Sequence, residues 1–197
     1  MAGLNLLYRK YRLFILLWLF VPHSHVCTAP GIDLHLKFAR FRNLYDLVDR
    51  KYKEVEFSRF ISALGKMESG NNWLSVNTIG CFGEWQFAES TLHFLGHKNI
   101  TLRKFKSDPD IFPRELQQRV LESLIKVNLN YLRGYEHFIG DTIRGIVITK
   151  SGMVAASHLG GAGSLQLFLK SGGRVNKEDV LGTSILDYLK KFACYHF

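Results

Sequence analysis

A chain of 197 residues, 47% hydrophobic and 22% charged, has room for one domain with a full core, and this balance excludes a disordered or fibrous protein. The formal net charge of +9 points to anionic polymers such as cell wall, membrane surface or nucleic acid, although the same excess also serves solubility. No Lys/Arg cluster with interleaved aromatics occurs in the body of the chain, which argues against nucleic acid.

The first segment reads differently from the rest. Arg9, Lys10 and Arg12 precede an unbroken apolar run from Leu13 to Val21, followed by Pro22 and the small or turn-forming Thr28, Ala29 and Pro30. Such a run is too short for a bilayer-spanning helix and fits the apolar region of a secretory signal peptide. The expectation is a signal peptide, or else an N-terminal anchor giving membrane association, over residues 1–29 and one domain over residues 31–197, exported to the periplasm or beyond the cell. Cys27 lacks the small preceding residues usual for lipid attachment. Removing the leader leaves Cys81 and Cys194, a pair compatible with a disulfide or with two unpaired buried thiols.

The body carries no internal repeat and no Pro/Ser-rich linker. Leu34, Phe38, Phe41, Tyr45 and Val48 recur at helical spacing and predict an amphipathic helix over 33–51. Phe57, Phe60, Ile61 and Leu64 predict a second over 55–67, which Gly70 ends, so that Glu68 falls on its last turn. A short helix follows over 89–95. Pro113 suits the first turn of the longest helix, with Leu116, Val120, Leu124, Val127 and Tyr131 as its apolar stripe and Gly134 after it. The β-branched stretch 142–152 is compatible with a strand or with a helix start. Helices are expected over 151–159, 163–173 and 184–192. The fold class is mainly α, and the longest connections, 70–84 and 96–113, are where function is expected.

One stretch concentrates chemistry. In KMESGNNWLSVNTIGCFGEWQF, Glu68 stands among aromatic neighbours, Trp73, Phe82, Trp85 and Phe87, that would form an apolar wall around an acid. Downstream come Asn77, Gly80, Gly83 and Gln86. Glycines at 80 and 83 admit unusual dihedrals and close backbone approach, and Gln86 offers both a donor and an acceptor. Taken alone, Glu68 reads as a solvated helix-end residue, and it is the pattern downstream that turns the reading toward chemistry.

The Glu68-Ser69 pair, the Gly80-x-x-Gly83-x-x-Gln86 series and the later AASHLGGAG (155–163) together resemble the lytic transglycosylases related to goose-type lysozyme. There a helix-ending Glu-Ser is followed by a glycine loop closing on GLMQ and later by AAYNAGPG. The resemblance covers most of residues 55–171 and implies an α+β lysozyme-like fold, a single compact helical domain with a substrate cleft. It also implies cleavage of the bond between N-acetylmuramic acid and N-acetylglucosamine in peptidoglycan. Glu68 would be the catalytic residue, and Ser69, Gly83, Gln86, Phe87, His158 and Gly160 would bind substrate. No metal or cofactor is implied, and the partner is the peptidoglycan glycan strand. Two departures stand out: Ser157-His158 replaces Tyr-Asn, and Glu84 replaces an apolar residue. His158 reads as a donor to the sugar or as a satisfied core histidine; Glu84 reads as an exposed charge or as a second carboxylate activating water. A hydrolytic lysozyme and a wall-binding protein without turnover are the alternative functions.

Overall fold

The computed structural model describes residues 34–180 and 182–197, with side chains from residue 41 onward. The expected leader lies outside the described residues. The chain divides into two units, 1–44 and 45–197.

The protein is mostly helical. Helix α1, Leu34–Ser69, runs without a break where two helices were expected. Between the two apolar patterns stand only Tyr52, Lys53 and Glu54, with no glycine, proline or capping residue to stop propagation. Of its early stripe Phe41 and Val48 are exposed, whereas Phe60 and Leu64, further along, are fully buried. The helix stops at Gly70, whose φ of 70° suits a residue without Cβ. There the Gly70 N–H closes on the Lys66 carbonyl, and the Asn71 N–H on that of Gly65.

Residues 70–88 form an ordered loop with two antiparallel bridges, Val76 to Phe82 and Phe82 to Phe87. Helix α2, Glu89–Phe94, follows. The stretch 96–113, expected to be a long loop, instead holds helix α3, Leu102–Ser107, and a 3-10 turn, Pro109–Ile111. Thr101 and Asp108 cap these two elements by accepting from the backbone N–H groups of Lys104 and Asp110. Helix α4, Arg114–Leu132, buries Gln117, Val120, Leu121, Ile125, Asn128 and Leu132. This face is turned by about one residue from the predicted stripe, and Tyr131 is exposed.

A 3-10 turn, Arg133–Phe138, leads into a small hairpin, β1 Thr142–Ile143 and β2 Ile146–Val147, turned by Arg144 and Gly145 with φ of 50° and 77°. The ambiguous stretch is thus a hairpin followed at once by a helix start, where Thr149 accepts from the Gly152 N–H. Helix α5, Lys150–Lys170, joins the two expected helices end to end, with a break at Gly161 (φ 74°, ψ 159°). Helix α6, Ile185–Lys191, begins with a reciprocal capping box between Ser184 and Asp187. It packs on α5, which packs on α4. The core beneath gathers Phe60 and Leu64 of α1, Phe82, Trp85 and Phe87 of the loop, Leu121 of α4, Phe168 of α5, and Leu189 with Phe192 at the end of α6. The final turn of α1, the 70–88 loop, the N-terminal half of α5 and α6 therefore share one core, and this places the site.

Candidate functional site

Glu68 sits one residue before the end of α1, its side chain 15% exposed. Its Oε1 accepts a 2.5 Å hydrogen bond from the Tyr188 hydroxyl on α6. Tyr188 is buried, and a buried phenol needs a polar partner, which Glu68 supplies. Burial, reinforced by the charge of Glu68 and the hydrogen bond to it, pushes the Tyr188 phenol far above the usual tyrosine range, so it remains a donor. No protein donor reaches the other carboxylate oxygen among the described residues.

His158, on the last helical turn before the Gly161 break, approaches the same carboxylate. Its Nε2 is 3.9 Å from Glu68 Oε1 and 2.9 Å from the Trp85 carbonyl oxygen. Its ring meets Phe87 edge-on, centroids 6.1 Å apart. The Trp85 indole N–H in turn donates to the Ile61 carbonyl on α1, 2.9 Å away. Glu68, His158 and the Trp85 backbone therefore converge from three separate elements.

The loop is held by buried polar groups rather than by regular secondary structure. Gln117, fully buried on α4, accepts from the Glu84 N–H at 2.6 Å and donates to the carbonyls of Trp73 at 2.9 Å and Phe112 at 2.8 Å. Gly83 has φ of 87°, and a Cβ there would lie 2.6 Å from Gln117 Oε1. Its lack of a side chain is thus required by the Gln117 amide. Ser69 does not turn to Glu68: its hydroxyl donates to the Glu84 carbonyl at 2.7 Å and accepts from the Asn72 N–H.

Glu84 corrects both sequence readings of that residue. It is only 1% exposed, and its carboxylate receives Arg114 Nε at 2.5 Å and Nη2 at 2.9 Å in a forked pair. That hydrogen bond and charge raise the Arg114 guanidinium further above its already high range. Glu84 is neither an exposed charge nor free to activate water.

The remaining predicted residues fall as follows. Gln86, at φ 50°, donates from Nε2 to the Gly83 carbonyl at 2.7 Å, while its Oε1 is buried without a partner. The amide therefore pins the loop and still has an unused acceptor. Phe87 is a core residue, packed edge-on against Phe112. Gly160 is exposed, and a Cβ there would meet Ile185 Cδ1 at 2.9 Å. Cys81 and Cys194 are unpaired, and Cys194 is exposed rather than buried. Burial raises the Cys81 thiol, against a lowering hydrogen bond from Asn77, and the Glu68 charge adds to the rise. The glycine loop thus brings Cys81 within electrostatic reach of Glu68.

Sequence reasoning missed Tyr188, Gln117 and Arg114. The signal for Tyr188 was present as a lone phenol on the apolar face of SILDYLKKF, where burial demands a partner. Among the described residues, no group of three or more His, Cys, Asp or Glu side chains is placed to hold a metal ion. No described helix is long and apolar enough to cross a membrane. No family model, no curated protein and no solved structure matches the chain.

Proposed function

We propose that the protein is an exported, lysozyme-like enzyme that cleaves the N-acetylmuramic acid to N-acetylglucosamine bond of peptidoglycan by lytic transglycosylation. The observation that carries this reading is the single, partly exposed Glu68 at a helix end, held through one oxygen by Tyr188 and flanked by His158. Because Tyr188 donates to Oε1, a proton on the carboxyl belongs on the other oxygen, which is left for a ligand.

In this mechanism Glu68 first protonates the glycosidic oxygen as an oxocarbenium-like transition state develops. The C1–O bond breaks and the leaving sugar takes the proton. Glu68, now a carboxylate, then removes the proton of the muramoyl 6-hydroxyl, whose oxygen bonds to C1 and closes the anhydro ring. The enzyme ends with its proton restored, and no water is consumed. The route needs one carboxylate. Burial of Glu84 against Arg114 favours it over a hydrolytic lysozyme using Glu84 as base. The basic character of the chain suits an anionic wall polymer.

The decisive test is incubation of the protein with purified peptidoglycan and mass analysis of released fragments. Anhydro-muropeptides are expected from the parent protein and none from folded Glu68→Gln. Fragments carrying one added water would replace lysis by hydrolysis, and binding without release would leave a wall-binding protein.

A further inference from the structure

His158 has a bonding pattern that fixes its proton. The Trp85 carbonyl, 2.9 Å from Nε2, can only accept. A lone pair on Nε2 would face carbonyl lone pairs, whereas an Nε2–H makes a hydrogen bond. The other ring nitrogen leads to the same answer. Nδ1 is buried and has no partner, so a hydrogen there would be a buried donor with nothing to receive it. Both nitrogens therefore select the neutral Nε2–H tautomer, in a side chain only 8% exposed.

This N–H also lies against the acid. Nε2 is 3.9 Å from Glu68 Oε1, too far for a hydrogen bond but close beside the oxygen that Tyr188 already holds. The ring is fixed on two further sides, by the edge of Phe87 and by the Trp85 carbonyl. Trp85 immediately precedes Gln86, and its indole is tied to α1 through Ile61. One imidazole thus ties the glycine loop to α5 directly beside the Glu68 carboxylate.

We infer that His158 is a positioning residue, locked as the Nε2–H tautomer by the Trp85 carbonyl, that sets the orientation of Glu68 relative to the loop carrying Gln86. It acts through Glu68 and the loop rather than by exchanging protons with substrate. This rests on the function proposed above only where turnover is the readout.

The test combines nitrogen NMR on the full-length protein with kinetics of two variants. In protein labelled with 15N-histidine, the resonance lost in His158→Gln identifies His158, and its proton is expected on Nε2. In His158→Phe, which keeps bulk but removes the N–H, kcat is expected to fall about 100-fold with KM within about twofold. His158→Gln, whose amide Nε2 can restore the bond to the Trp85 carbonyl, is expected to recover kcat to within about tenfold of the parent. An Nδ1–H tautomer, a phenylalanine variant with parental kcat, a loss confined to KM, or no rescue by glutamine would each overturn the inference. Should the phenylalanine variant not fold, kcat of the glutamine variant decides alone: retention supports the inference and collapse overturns it. If the parent protein releases no wall fragments, the proposed function fails separately. The inference is then judged by the downfield hydroxyl proton of Tyr188 bonded to Glu68. Retention in the glutamine variant with loss in the phenylalanine variant supports it, and an unchanged resonance in both overturns it.

Discussion

Replacing Gln117 by Leu tests how the loop that carries Gly83 and Gln86 is held. The substitution keeps volume on the buried face of α4 but removes three hydrogen bonds, leaving the Glu84 N–H and the Trp73 and Phe112 carbonyls without their partner. Each buried backbone group left unsatisfied costs about 1–3 kcal/mol, and replacing a polar amide by an apolar side chain offsets part of the sum. A net destabilisation of about 3–5 kcal/mol is expected, a large share of the roughly 5–15 kcal/mol that holds a typical domain together. For a unit of this size that is a fall in Tm of roughly 8–15 °C. Urea unfolding followed by tryptophan fluorescence measures the loss, and amide exchange locates it. The Glu84 N–H, protected in the parent protein, is expected to exchange at the rate of local opening in the variant. A loss below about 1 kcal/mol with the Glu84 amide still protected would refute the view that this side chain anchors the loop.

Gly83→Ala combines a left-handed backbone with a Cβ 2.6 Å from Gln117 Oε1, so about 2–4 kcal/mol of destabilisation is expected in the same unfolding assay. Tyr188→Phe deletes only the hydroxyl that holds Glu68; anhydro-product formation is expected to fall about 10–100-fold with KM little changed, measured by steady-state turnover. Alkaline pH provides a further check. Tyr188 and Cys81 bind their protons more tightly in the folded protein than the ordinary values of 10.0 and 9.0, so the unfolded chain deprotonates first. Their contribution to stability is whole below about pH 9 and is lost as pH rises beyond it; the denaturation midpoint is expected to drop between pH 9 and 11, and less steeply in Tyr188→Phe.

The helices were legible wherever apolar spacing coincided with a stop or cap. Gly70 ends α1 and Ser184 starts α6, each for a reason readable in the letters. The join between the two halves of α1 was not readable, because two separate apolar patterns say nothing of the polar residues between them when no breaker intervenes. On α4 the apolar stripe indicated a face about one residue away from the buried one because the buried face carries Gln117 and Asn128. Hydrophobicity counts such residues as outward, and only their distant partners make burial tolerable. The same physics hid Glu84, whose compensating cation lies thirty residues away at the start of α4. The sequence singled out Glu68 by the aromatic residues near it in the chain, while Tyr188, 120 residues along, could be joined to it only by the fold.

The Gln117 clamp holds only main-chain atoms: a carbonyl of residue 73, a carbonyl of residue 112 and the N–H of residue 84. Every amino acid supplies a carbonyl, and every one except proline supplies an N–H. As far as this anchorage is concerned, the side chains at 73, 112 and 84 can change without altering the path of the loop, whereas Gln117 and Gly83 cannot. Part of the information about the loop's shape is therefore stored outside the loop, in a glutamine on a neighbouring helix. Substitutions at 73, 84 and 112 that keep the main chain leave this anchorage of the backbone beside Glu68 in place.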